Sequence, residues 1–78
     1  MANTANTKTS KAVKAGLLAC SAETLGNEAE AVTAATTAGR LARREGLTLD
    51  ALHAALGTKV ATADLAWNYM VDGWYEAA

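Results

Sequence analysis

Proline, isoleucine and phenylalanine are absent from these 78 residues, cysteine and histidine occur once each, and the aromatic set is two tryptophans and two tyrosines. Each scarcity excludes something. Cys20 has no second cysteine to bridge to within the chain, and one cysteine with one histidine cannot build a Cys/His metal cage. Strands prefer β-branched and aromatic residues, so the missing isoleucine and phenylalanine weigh against a sheet. No apolar run is long enough to span a bilayer, and the opening "MANTANTKTS" is too polar for a signal peptide. A chain of this kind is expected in a reducing compartment, either a host cytoplasm or an assembled particle.

What is present points one way. Alanine fills 20 of the 78 positions, and alanine is the best helix former where proline is the worst. The expected fold is all-α, a compact bundle of three to four helices with an Ala/Gly-rich helical hairpin. Residues 1–8 read as a flexible N-terminal tail and 9–78 as a single helical domain. So short a chain buries only about 60–70% of its unfolded surface. Cores of this size usually lean on a disulfide, a metal or a partner chain, and here the partner chain is what remains.

The formal net charge is −1, which gives no global field to attract nucleic acid. Its distribution is uneven. Lys8, Lys11 and Lys14 precede the first acid, Glu23, and after Lys59 the only charges are Asp64, Asp72 and Glu76. Either the two chain ends lie together or each faces an opposite charge elsewhere.

Local signals place four helices. The first starts with Thr9 or Ser10 as N-cap; Val13, Leu17, Leu18, Cys20, Ala22 and Leu25 form its apolar side, and it ends near Cys20–Ser21 or at Leu25, before Gly26. The second opens at Asn27 with Glu30 at N3, the spacing of a capping box. Glu28 and Glu30 sit at the positive end of its dipole, and Arg40, Arg43 and Arg44 at the negative end. Its face of Val32, Ala35, Gly39 and Ala42, flanked by Ala31, Ala34, Ala38 and Leu41, is thin enough for unusually close helix packing, with leucines of helices one and three filling the space beside it. The third helix has Thr48 as N-cap, a Leu47–Leu52 staple, a buried stripe of Leu49, Leu52 and Leu56, and Gly57 at its end. The fourth runs from Thr58 or Thr62 to about Asp72, with Gly73 stopping or loosening it and "WYEAA" left as a hook.

Two resemblances follow from these segments. From Lys11 to Leu49, "KAVKAGLLACSAETLGNEAEAVTAATTAGRLARREGLTL" resembles a short bacterial and phage domain, domain-of-unknown-function family 2786. The shared features are the Lys-rich start, Leu17-Leu18-Ala19, "EAEA" at Glu28–Ala31 and the run to "RLARREGL". The resemblance implies a helical hairpin and brings no functional residues. "REGLTLDALHAALG", Arg44 to Gly57, looks like the opening of a phage-repressor helix-turn-helix, which implies Thr58 to Tyr69 as a recognition helix in the major groove. That segment holds one lysine, no arginine and an aspartate, leaving Lys59 and Asn68 for phosphates and base edges.

Residues able to carry chemistry are few. His53 is the one general-base type near neutrality, flanked by Asp50 but by no nucleophile, and reads as a flank residue of helix three. Cys20 reads as a buried, inert thiol. No glycine-rich phosphate loop, carboxylate dyad or triad is present, so neither an enzyme nor a cofactor is expected. Trp67 is expected in the core. Trp74 and Tyr75, with Tyr69 and the cationic group Arg40, Arg43 and Arg44, are the candidate partner-binding residues, because hot spots are enriched in Trp, Tyr and Arg. The expected function is a small non-enzymatic protein-interaction module, phage- or mobile-element-encoded, acting as an inhibitor or assembly component. Its partner would be a larger protein or a second copy. The alternative is a helix-turn-helix DNA-binding regulator, with nucleic acid ranked second as partner and no membrane.

Overall fold

The computed structural model describes residues 10–78; the tail expected over residues 1–8, and Thr9 as a cap, lie outside the described residues. Five helices follow one another among them: α1 (Lys11–Thr24), α2 (Glu28–Arg44), α3 (Leu49–Leu56), the single turn α4 (Thr58–Ala61) and α5 (Asp64–Glu76). The fold is all-α. None of these helices is long and apolar enough to cross a membrane.

The helix ends follow the local chemistry closely. Ser10 caps α1, its hydroxyl accepting the Val13 amide, and Thr48 caps α3 by accepting from Ala51 N. α1 and α2 both end in the same double turn. Asn27 N donates to Ala22 O and Gly26 N to Glu23 O; Leu47 N donates to Ala42 O and Gly46 N to Arg43 O. This arrangement requires a left-handed residue just past the helix, and Gly26 and Gly46 supply it with φ of 82° and 79°. It also cancels the expected capping box at Asn27. The Asn27 amide is already committed to Ala22, and its side chain makes no cap hydrogen bond.

α2 is the central element, packed along α1 on one side and α5 on the other. Its alanines serve both neighbours. Ala31, Ala35, Ala38, Gly39 and Ala42 are buried, and Ala12, Gly16, Ala19 and Cys20 are buried on α1. Bulk enters from elsewhere. Leu52 and Leu56 of α3, Val60 of α4 and Met70 of α5 close the core, and Leu52 and Met70 are the largest side chains sealed in it.

The expectation that helix one contributes leucines to this core is corrected. Leu17, Leu18 and Leu25 are exposed. The physical reason is spacing: with alanine and glycine lining the contact between α1 and α2, there is room for small side chains only, and the leucines turn outward. Leu49 is half-buried rather than sealed in.

Of the two starts expected for the fourth helix, Thr62 lies near the observed one and Thr58 is ruled out, because the chain leaves helical geometry at Thr62 and Ala63 (the latter at φ −130°, ψ 62°) before α5 begins at Asp64. Val60 and Ala63 are both buried, and the break lets them reach the core while α5 turns to lie along α2. Gly73 does not stop α5, which runs on through Trp74 and Tyr75 to Glu76. The expected hook is therefore the last turn of a helix.

Two glutamates connect helix ends that are distant in sequence. Glu23, in the last turn of α1, accepts the amides of Ala66 (2.8 Å) and Leu65 (3.3 Å) at the start of α5. Its carboxylate replaces the cap that Ala63 cannot offer. Glu45, just past α2, accepts the Ser10 hydroxyl and the Ala12 amide (3.3 Å) at the start of α1. Each places an anion at the positive end of a helix dipole, and each compensates donors that a helix leaves unpaired.

Candidate interaction surfaces

Two surfaces stand out, one anticipated from the sequence and one not. The first is the corner where α5 ends against α2 and the loop after it. Trp74 is half-buried, and its indole Nε1 donates to Leu47 O at 2.8 Å. The Arg43 guanidinium lies 3.9 Å from the Trp74 ring centroid, a cation–π contact. The Tyr75 ring meets Trp74 edge-on at 5.2 Å. Arg40 forks onto Glu76 Oε1 through Nη2 (2.7 Å) and Nε (3.2 Å).

The structure thus brings together four of the six candidate residues, Arg40, Arg43, Trp74 and Tyr75, but gives them internal work. Arg40, Arg43 and Trp74 hold α5 on α2. Arg44 is exposed, Tyr75 is 63% exposed, and Tyr69 is half-buried against the core. What this corner presents outward is Tyr75 together with the exposed Arg40–Glu76 ion pair. Trp67 packs against the core, half-buried, with His53 edge-on to it at 4.9 Å. His53 itself is exposed on α3.

The second surface is the outer face of α1, which the sequence reading did not single out. Leu18 is 65% exposed and Leu25 72%. They are seven residues apart, and on a helix of 3.6 residues per turn they share one face, with Ser21 between them. This ridge separates two troughs. Towards α4 lies a groove of about 730 Å³ lined by Lys14, Leu17, Thr24, Thr58, Lys59 and Thr62 along with the ridge residues and Cys20. Towards α2 lies a smaller one of about 190 Å³, lined by the ridge together with Ala22, Asn27, Glu30 and Ala34. The lining of the first carries two lysines and no acid, and that of the second one glutamate and no base.

A signal for this face existed in the sequence. Leu17 and Leu18 are adjacent, hence about 100° apart around a helix, and cannot both point into one narrow contact. Leu18 and Leu25 fall on the side of Lys11, Lys14 and Ser21, opposite Ala12, Gly16 and Ala19.

Cys20 lies at the inner edge of the larger groove and is buried. Burial pushes its thiol above the ordinary value of 9.0; Glu23 adds to the rise and Lys59 opposes it. That makes it a poor nucleophile at neutral pH. Among the described residues, no three His, Cys, Asp or Glu side chains gather where they would hold a metal ion, and every buried side-chain nitrogen or oxygen has a hydrogen-bond partner.

A scan against protein-family models and searches of curated proteins and of solved structures found no match to this chain.

Proposed function

We propose that the chain is a small non-enzymatic protein-interaction module, and that the outer face of α1 is its principal contact surface. One observation carries this. Nine alanines are buried in the core while Leu17, Leu18 and Leu25 stand exposed. Burying one leucine side chain is worth about 1.5–3 kcal/mol, so a small domain short of bulk that turns its leucines outward forgoes stability it could use. Contiguous exposed apolar residues rimmed by polar ones mark contact surfaces. The rim here is lysine and threonine on one side and Asn27 and Glu30 on the other. A role as inhibitor or assembly component, in a cytoplasm or a particle, fits a module with no chemistry of its own.

The DNA-regulator reading has less to support it. Thr58 to Tyr69 is split at Thr62–Ala63, and in the second piece Ala66 is buried while Asp64 and Asn68 are the exposed residues. A recognition helix needs a continuous exposed face.

The test is a comparison of two baits in one extract. Wild type and Leu18→Asp are immobilised, and retained proteins are compared quantitatively. Species held by wild type and lost from the variant support the reading. Identical retention on both, with purified protein that stays monomeric, would remove it.

A further inference from the structure

The two troughs beside the Leu18–Leu25 ridge differ in sign, and this selects an occupant. The trough towards α4 has Lys14 and Lys59 and no acid in its lining; the trough towards α2 has Glu30 and no base, with Glu28 exposed beside it in the same first turn of α2. A ridge with a basic trough on one side and an acidic trough on the other is complementary to itself. We propose that the α1 face is covered by a second copy of this chain, with the two α1 helices side by side and parallel across a two-fold axis.

Symmetry fixes the direction. In a two-fold contact the same patch is used by both copies. An axis running along α1 lays the basic trough of each copy over the acidic trough of the other. An axis crossing α1 at right angles within the contact plane would lay basic trough over basic trough, with Lys14 and Lys59 facing their own counterparts. Like charges brought together disfavour that alternative. The leucine ridges, seven residues from Leu18 to Leu25, then run alongside each other and bury what each copy exposes alone. A two-leucine ridge with threonine walls makes a small interface, and small interfaces of this type are weak and reversible.

This proposal rests on the interaction reading above, and the experiment separates the two. Sedimentation equilibrium of the purified full chain, at low ionic strength and across micromolar concentrations, is expected to show a monomer–dimer equilibrium. Leu18→Asp is expected to weaken it about tenfold or more, because the change acts twice in a symmetric contact. A chain carrying Lys14→Glu with Lys59→Glu, and a chain carrying Glu30→Lys, are each expected to dimerise several-fold more weakly than wild type, exposed ion pairs being individually modest. Mixed together they are expected to form a heterodimer tighter than either homodimer. All four positions are exposed, and circular dichroism checks that each variant is folded. A monomer at every concentration, a dimer indifferent to Leu18→Asp, or charge variants that pair no better mixed than alone would each overturn the proposal. A monomer whose retention of another protein still depends on Leu18 overturns only the second copy as occupant. A monomer without such retention ends the interaction reading as well.

Discussion

Gly39 of α2 and Gly73 of α5 sit at one crossing where neither helix has room for a side chain. A Cβ on Gly39 would lie 2.0 Å from Met70 O and 2.7 Å from Trp74 N, and one on Gly73 would lie 2.3 Å from Thr36 O. All three obstacles are backbone atoms, which cannot swing aside as a side-chain tip does. The pair brings α5 close enough for Trp74 to reach Leu47 O and for Glu76 to reach Arg40. The thin ribbon of α2 is thus matched by a thin point on α5.

Gly39→Ala and Gly73→Ala should each destabilise the fold by about 3 kcal/mol or more, the upper part of the range for overpacking. Gly16→Ala is the informative contrast. Its Cβ would meet the Leu56 methyl group at 2.9 Å, a flexible side-chain end, and alanine gains about 0.5–1 kcal/mol over glycine within a helix. The net change there should be within about 1 kcal/mol of zero. Urea unfolding of the three variants settles the order; equal losses at all three would contradict a backbone-on-backbone crossing.

Trp74 is held by a hydrogen bond and a cation, and the two are separable. Trp74→Phe keeps an aromatic ring beside Arg43 but leaves Leu47 O without its donor, at a cost of about 1–3 kcal/mol. Arg43→Ala in the wild type should cost about 0.5–1 kcal/mol through the lost cation–π contact. Stability measured across a double-mutant cycle gives the coupling between them. A Trp74→Phe variant as stable as wild type would show that the indole N–H bond carries no weight.

Glu23 and Glu45 are caps supplied from a distance, and each should matter more than an ordinary exposed glutamate. Glu23→Ala frees the Leu65 and Ala66 amides at the start of α5, and Glu45→Ala frees Ala12 and the Ser10 hydroxyl at the start of α1. Loss of a helix N-cap costs about 0.5–2 kcal/mol. Glu28→Ala, on an exposed first-turn residue of α2 that accepts no amide among the described residues, should lie within about 0.5 kcal/mol of wild type. Thermal unfolding that ranks Glu28→Ala level with the other two would count against the capping role.

These residues also separate what is decided locally along the chain from what is decided by long-range packing. The all-helical fold, the caps at Ser10 and Thr48 and the glycine stops at Gly26, Gly46 and Gly57 were legible because each is decided within a few residues. The thinness of α2 was legible as well, but not its two neighbours. Long-range partners were hidden: nothing local shows that Glu23 caps a helix beginning at Asp64, or that Gly73 is needed for a crossing and does not end the helix. Apolar spacing assigns the leucines of α1 to the core, but the depth that keeps them out of it is set by the small residues of α2, which lie elsewhere in the chain. The sequence groups Trp74, Tyr75, Tyr69, Arg40, Arg43 and Arg44 as contact candidates without showing that the indole is tied to Leu47 and that Tyr75, Arg40 and Arg44 are the exposed ones.

Cys20 gives a pH dependence with a definite sign. Its thiol is pushed up, first by burial and then by Glu23, with Lys59 opposing. In the unfolded chain it ionises near the ordinary 9.0, while the folded chain resists ionisation. The folded state therefore holds its full advantage below pH 9 and loses it as pH rises through and above that value. Other groups titrate in this range, so the quantity to follow is the stability of wild type minus that of Cys20→Ala. That difference should be flat at neutral pH and shrink on the alkaline side. A difference that grows above pH 9 would place the thiolate in a favourable site instead.

The exposed leucines supply the sharpest contrast between fold and surface. Leu52 is sealed in the core, and Leu52→Ala should cost about 2–5 kcal/mol. Leu18 and Leu25 contribute far less to the isolated chain, so Leu18→Gln and Leu25→Gln should each shift its stability by no more than about 0.5 kcal/mol. The comparison belongs at low protein concentration, because any self-association stabilises the folded state by mass action and makes melting depend on concentration. At high concentration the same two substitutions should then lower the melting temperature of the associating protein while leaving the dilute value alone. Leucines whose removal unfolds the dilute chain would be part of its core, and the outward face of α1 would lose its claim to a partner.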